Sequence, residues 1–223
     1  MSTSTKLRET HKKIGGGRGI FGEDAKILEK RLSDAVQYDL LQYLETLFPN
    51  IEFFWKSKID KIDIARNIDK FNWNPCSKAP FIKPDGGVLY VKINGKVYPI
   101  LVSEAKKQGT NDKLIADGKK KQAKGNAIER AVKNHCELKL YFKPFDFYAY
   151  VIFASGCDFT KDSSINDRLD SMTEYNPRNQ EYIFHPDKLA TVWIREKSWT
   201  YSEILDKIKS ASVQVVTHIL KSN

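Results

Sequence analysis

Cysteine is scarce in this chain. Cys76, Cys136 and Cys157 are odd in number and widely spaced over 223 residues, which fits a reduced intracellular protein better than a disulfide framework. Cys136 adjoins His135, but no CxxC or HxxxH spacing accompanies it. A buried structural cysteine is therefore favoured over a zinc centre or a catalytic thiol. Long apolar runs are missing too; nothing approaches the ~20 residues a membrane span needs. The polar start, Met1-Ser2-Thr3-Ser4-Thr5-Lys6, does not read as a secretory signal, so a cytoplasmic protein (bacterial or archaeal) with no membrane partner is expected. The glycine cluster at 15–19 lacks the Gly-Lys-Ser/Thr ending of a phosphate loop, which argues against nucleotide binding there.

Acidic residues are outnumbered by basic ones, 28 against 37, and the net charge is +9. Such an excess favours a polyanionic partner, because Lys and Arg displace counterions from phosphates; a basic protein with no such partner is the competing explanation. Hydrophobic content of 41% supports a core, and the length suits one compact domain. Residues 1–19 are basic and glycine-rich without apolar periodicity and read as a flexible arm ahead of a single domain over 20–223.

Leu28, Leu32, Val36, Leu40, Leu44 and Phe48 recur every four residues, one face of an amphipathic helix that ends before Pro49. Ile51 to Trp55 suits a strand, and 66–80 a loop. Val88–Ile93 alternates, Asn94-Gly95 is a hairpin turn, and Val97–Ala105 is the return strand. Residues 109–124 are polar and basic. A helix is expected from about Asn126 to Leu140, strands over Tyr148–Ala154 and Ala190–Ile194, a polar loop-rich stretch over 156–180, and a C-terminal helix carrying Ile204, Ile208, Ala211, Val215 and Ile219. Strands interleaved with helices predict an α/β domain: a central mixed sheet flanked by helices.

Two runs carry chemistry. Lys83-Pro84-Asp85-Gly86-Gly87 opens the hairpin, and Ser103-Glu104-Ala105-Lys106-Lys107-Gln108-Gly109 closes it. Glu104 and Lys106, two apart on a strand, share a face while Ala105 points away, and the hairpin brings Asp85 toward the same end. Two neighbouring carboxylates repel unless a cation joins them. Mg²⁺ suits an oxygen site of this kind, and a water of lowered pKa there attacks a phosphodiester, with Lys106 orienting or deprotonating it. The plainer explanations are turn chemistry for Pro-Asp-Gly-Gly and an exposed cross-strand pair for Glu104 and Lys106.

Gly125-Asn126-Ala127-Ile128-Glu129-Arg130 is a third run. Asn126 and Glu129 form a capping-box-like helix start, which needs no ligand. Five lysines precede them (Lys113, Lys119, Lys120, Lys121 and Lys124), and a carboxylate facing phosphates needs a base donor such as adenine N6 or cytosine N4. Asn126 suits adenine, and Arg130 contacts a base acceptor or braces Glu129 in this reading. A helix N-terminus in a major groove is an established docking mode.

These runs resemble the EcoRI-type restriction endonucleases of the PD-(D/E)xK nuclease superfamily. The matching stretches are Gly19-Ile20-Phe21-Gly22-Glu23-Asp24-Ala25-Lys26, Ile82 to Gly87, Glu104 to Gly109, and Gly125 to Arg130 with Lys133-Asn134; weaker ones are Phe153 to Gly156 and Arg168 to Tyr175. The resemblance implies a restriction-endonuclease-like core and a homodimeric type II enzyme that cuts both strands of a DNA palindrome with Mg²⁺ and leaves 5′-phosphate ends. Its catalytic positions fall on Asp85, Glu104 and Lys106, and its metal ligands on Asp85, Glu104 and the Ala105 carbonyl. Asn126, Glu129 and Arg130 fall on readers of an AATT core, with Gln122, Ala123, Gly125 and Ala127 beside the bases. Lys83, Gln108, Lys119, Lys120, Lys121 and Lys124 are expected on the DNA backbone. A companion DNA methyltransferase is implied in the same system. The chain is shorter than the best-known members between Asp158 and Arg168 and near 113–121, and Ser171 stands where the family pattern has arginine, which leaves the bases flanking AATT open. A DNA-binding protein with a degenerate metal site and a structure-selective repair nuclease of the same fold are the alternatives.

Overall fold

A four-residue apolar repeat does not fit a regular α-helix. Each step of four overshoots a 3.6-residue turn by about 40°, so Leu44 drifts roughly 160° from Leu28 around the axis. In the computed structural model the drift is absorbed. Helix α1 (Ile20–Asp34) passes through a π-helical turn (Ala35–Leu40) before α2 (Leu41–Leu47). The wider turn brings the stripe back into phase. Leu28, Leu32, Val36, Leu40 and Leu44 are all buried, and the helix stops at Phe48, ahead of Pro49.

The structure describes residues 20–60, 81–107, 147–156, 174–176, 181–185 and 190–223, together with single positions 63, 118, 135, 138, 139, 141, 142 and 145. The strands are β1 (Glu52–Lys56), β2 (Ile59–Asp60), β3 (Phe81–Ile82), β4 (Val88–Ile93), β5 (Lys96–Lys107), β6 (Ala149–Ser155), β7 (Glu174–Asn176), β8 (Glu181–His185) and β9 (Ala190–Arg195), followed by helix α3 (Tyr201–Ser222). Seven strands form one sheet in the order β1-β4-β5-β6-β9-β8-β7, and β2 pairs with β3 separately. β5, β6 and β9 run parallel and the remaining neighbours antiparallel, so the expected mixed α/β sheet is the architecture found.

The sheet separates two cores. One face packs Leu89, Val91, Leu101, Ala105, Val151 and Phe153 against α1 and α3. The other carries Val88, Tyr90, Val102, Tyr150 and Ile152, covered by Leu138 and Phe142. Pro99 decides which face the end of β5 presents. It has no N–H for the ladder, and the register slips there: Leu89 pairs with Leu101 but Tyr90 with Pro99, leaving Ile100 extra. A one-residue bulge flips the alternation. Ile100 and Leu101 therefore both face the helical core, and Val102 and Glu104 turn to the opposite side.

α3 is fastened at its start. Thr200 and Glu203 form a reciprocal capping box, and Arg195 Nη1 reaches Glu203 Oε1 at 2.6 Å. Arg31 Nη1 donates to the Trp199 carbonyl at 3.0 Å and Tyr201 Oη to Asp39 Oδ2 at 2.6 Å, tying α3 to the N-terminal helix. His135 stacks on Tyr150 with ring centroids 5.0 Å apart.

Three expectations need correction. The stretch 156–180 contains strand β7, and β8 and the β2–β3 pair were not foreseen. These strands are two to five residues long, and β7 and β8 lie at and next to the sheet edge; segments so short carry too little alternation to announce themselves. β5 also continues to Lys107, beyond Ala105, because β6 pairs with it up to Ser155. The arm at 1–19 and the helix start at Asn126 lie outside the described residues.

Candidate active site

β4 begins at Val88, opposite Val102, so the edge of β5 beyond Val102 has lost its strand partner. The turn at Pro84–Gly87 takes that place. Gly86 N donates to the Ser103 carbonyl at 2.9 Å, and Ala105 N donates to Asp85 Oδ2 at 3.0 Å. A carboxylate thus finishes a ladder that backbone began, and this carries Asp85 to the end of β5.

The turn needs both glycines. Gly87 N donates to the Pro84 carbonyl at 3.0 Å, and Gly87 has φ +74°, a left-handed conformation that disfavours side chains. A Cβ on Gly86 would stand 2.0 Å from Ser103 Oγ, and one on Gly87 2.4 Å from Trp55 Nε1. Only bare backbone fits between β5 and the indole.

Glu104 and Lys106 share a face, as expected. Lys106 Nζ donates to Glu104 Oε2 at 2.8 Å and to Asp85 Oδ2 at 3.0 Å. They are not an exposed pair: Glu104 is 1% exposed. Burial pushes the Glu104 carboxyl up to about 7; Lys106 opposes that shift and the Asp85 charge adds to it. Burial works against the Lys106 ammonium, yet Glu104 and Asp85 together hold its pKa above the ordinary lysine value. Ala105 turns its methyl into the helical core. Its N–H points to Asp85, and the N–H and C=O of one strand residue leave on the same side, so its carbonyl opens toward Asp85 as well.

A cavity of about 680 Å³ opens beside Asp85 and is lined by Lys26, Glu29, Trp55 and Lys83 among others. Burial and the nearby Asp85 raise the Glu29 pKa, against the pull of Lys106, Lys26 and Lys83. Sequence reasoning missed Glu29 and Trp55. Glu29 follows Leu28 as an ordinary polar residue of an amphipathic helix, and Trp55 reads as a strand aromatic. Lys83, expected on the DNA backbone, lines this cavity. Gln108, Lys119, Lys120, Lys121, Gln122, Ala123, Lys124, Gly125, Asn126, Ala127, Glu129 and Arg130 lie outside the described residues.

At their carboxyl ends the parallel strands align Lys107, Ser155 and Arg195, and Lys107 Nζ donates to Ser198 Oγ at 3.0 Å across them. Crevices at such ends are common ligand sites in α/β sheets. Among the described residues no helix is long and apolar enough to cross a membrane.

Residues 14–214 match the family described as restriction endonuclease EcoRI. The type II restriction enzyme RsrI of Cereibacter sphaeroides is 28% identical over 256 residues, which cover 94% of this chain and 92% of that protein. The type II restriction enzyme EcoRI of Escherichia coli is 30% identical over 223 residues, covering 83% and 80%. The crystal structure of the pre-specific restriction endonuclease BsaWI–DNA complex aligns with a TM-score of 0.34 and 10% identity over 95% of this chain and 66% of that one. The sequence matches, spanning nearly the whole chain, carry the assignment: the chain belongs to the EcoRI restriction endonuclease family and is a type II restriction endonuclease.

Proposed function

We propose that this enzyme hydrolyses both strands of duplex DNA at a short palindrome containing AATT, uses Mg²⁺, and leaves 5′-phosphate ends. The observation that carries the catalytic part is the Lys106 ammonium clasped between Asp85 and the buried Glu104. A pair of carboxylates this close is stable only with positive charge beside it.

The residues present fit Mg²⁺. Two carboxylates and the Ala105 carbonyl are oxygen donors on one strand end, and among the described residues no His, Cys or further acid joins them in a metal-holding group. Mg²⁺ prefers few protein ligands and keeps waters or substrate phosphates as the rest. Bound there, it lowers the pKa of a water and stabilises charge on the phosphate. Asp85 and Glu104 would hold the ion, and Lys106, kept as an ammonium by the two carboxylates, would orient the attacking water and face the phosphate with its charge. Lys83 meets the DNA backbone, together with Gln108, Lys119, Lys120, Lys121 and Lys124.

Base reading falls to Asn126, Glu129 and Arg130, with Gln122, Ala123, Gly125 and Ala127 beside them. A palindrome requires identical readers on identical half-sites, hence a homodimer. A cell holding this enzyme also needs a methyltransferase that protects its own sites, and the reaction belongs to the cytoplasm.

Incubating the protein with plasmid and Mg²⁺ and sequencing the fragment ends tests the reading. Ends at one palindrome around AATT are expected, with Asp85→Ala and Lys106→Ala inactive and Glu129→Ala defective in specificity or activity. Specific binding without cleavage in any divalent metal would identify a DNA-binding protein instead.

A further inference from the structure

Asp85 is held by a turn containing two consecutive glycines, the least restrained backbone a chain offers. The Gly86–Gly87 peptide is fixed at both poles: its N–H donates to the Pro84 carbonyl at 3.0 Å, and its carbonyl accepts from Trp55 Nε1 at 2.9 Å. The first bond lies within the turn. The second comes from β1, a different strand 31 residues earlier. Trp55 pairs with Leu89 in the sheet and lies over Gly87, within the 2.4–2.6 Å at which an added Cβ would strike its ring. Behind the turn, Gly86 N is tied to the Ser103 carbonyl at 2.9 Å. The turn is clamped between the indole and β5.

We infer that Trp55 is a positioning residue for Asp85: its indole N–H, donated to the Gly86 carbonyl, holds the turn that places the metal-binding carboxylate. This rests on the reading of Asp85 and Glu104 as the metal site. Without the donor, the Gly86–Gly87 peptide keeps only its bond to the Pro84 carbonyl, and the Asp85 carboxylate is held less firmly beside Ala105 N and Lys106 Nζ. Metal affinity should suffer first, since ligands held in place spare the ion the cost of ordering them.

The test replaces Trp55 with phenylalanine, and in a second variant with benzothienylalanine, which keeps the indole shape and removes only the N–H donor. In metal-free protein, hydrogen exchange at the Gly87 and Gly86 amides should accelerate roughly tenfold, about the worth of one hydrogen bond, while β4 and β5 amides keep their protection. The Mg²⁺ concentration at half-maximal plasmid cleavage should rise by a similar factor, with the rate recovered at saturating Mg²⁺ and DNA affinity in EDTA unchanged. Loss of the rate at every Mg²⁺ concentration, or an unchanged Mg²⁺ midpoint, overturns the inference. So does unchanged exchange at Gly86 and Gly87. If Trp55→Phe perturbs the fold, the benzothienylalanine protein decides. If the unsubstituted protein cleaves without Mg²⁺ dependence, the metal site itself is misassigned and the inference falls with it, a result distinct from an unmoved midpoint.

Discussion

Lys106 Nζ stands 3.0 Å from Asp85 Oδ2, a contact between a strand end and a turn 21 residues earlier. Lys106 offsets the charge of the buried Glu104 and the half-buried Asp85, so its removal should lower stability as well as the cleavage proposed for this site.

Lys106→Met should abolish cleavage and also destabilise the metal-free protein. Removing one partner of a buried ion pair leaves uncompensated charge, at a cost here of up to about 3 kcal/mol. The loss should be greatest above neutral pH, because Glu104 already takes its proton near 7 and protonation relieves the repulsion. Urea unfolding at pH 6 and pH 8, with and without Mg²⁺, measures this; Mg²⁺ should recover part of the loss at pH 8.

Glu104 also gives the wild-type protein a signature in acid. Its folded pKa of about 7 lies above the ordinary 4.5, so between those values the native state holds a proton that the unfolded chain has released. Stability from this group is therefore greatest below 4.5 and declines as pH rises to 7, by as much as about 3 kcal/mol. Glu104→Gln should flatten that decline in metal-free buffer. An unchanged slope across pH 4.5–7 would show that the carboxyl titrates normally.

Two left-handed glycines should respond differently to alanine. Gly87→Ala drives a Cβ to within 2.7 Å of the Lys56 carbonyl and into the Trp55 ring, displacing the Asp85 turn; cleavage should fall at least tenfold, with roughly 2–3 kcal/mol of stability lost. Gly95, at φ +78°, has open space around it, so Gly95→Ala should cost only about 1 kcal/mol of backbone strain and leave cleavage intact. Melting curves and plasmid assays on the two variants separate strain from collision.

Glu203 is held well below the ordinary carboxylate range by Arg195 and by Thr200. A depressed carboxylate contributes stability above its unfolded pKa of 4.5 and loses it as pH falls toward the folded value. Glu203→Gln keeps the capping box but loses the half-exposed ion pair with Arg195, so it should cost up to about 1 kcal/mol at pH 7 and progressively less below pH 4.5. Thermal midpoints compared at pH 7 and pH 3 check the convergence.

Much of the core was legible in the sequence because its signals are local. Asn94-Gly95 marks the hairpin, the alternation of Val88–Ile93 marks β4, and the apolar spacing from Ile204 to Ile219 marks α3. The π turn was half-legible: a four-residue repeat is visible, but its conflict with helical pitch is resolved only by packing on the sheet. β7 and β8 were not legible, since such short strands are defined by their partners rather than by their own pattern.

The same division runs through the site. By itself the sequence determined the chemistry on offer: two carboxylates and a lysine at the ends of one hairpin, with glycines where the turn needs them. Only the tertiary structure decided how they meet. The bulge opposite Leu89 and Tyr90 turns Glu104 away from the helical core. The late start of β4 leaves Ala105 N for Asp85 to accept. Trp55 arrives from β1 to hold the Gly86 carbonyl. The first is a register shift between two strands and the other two are long-range contacts between backbone and side chain, and no local spacing encodes them.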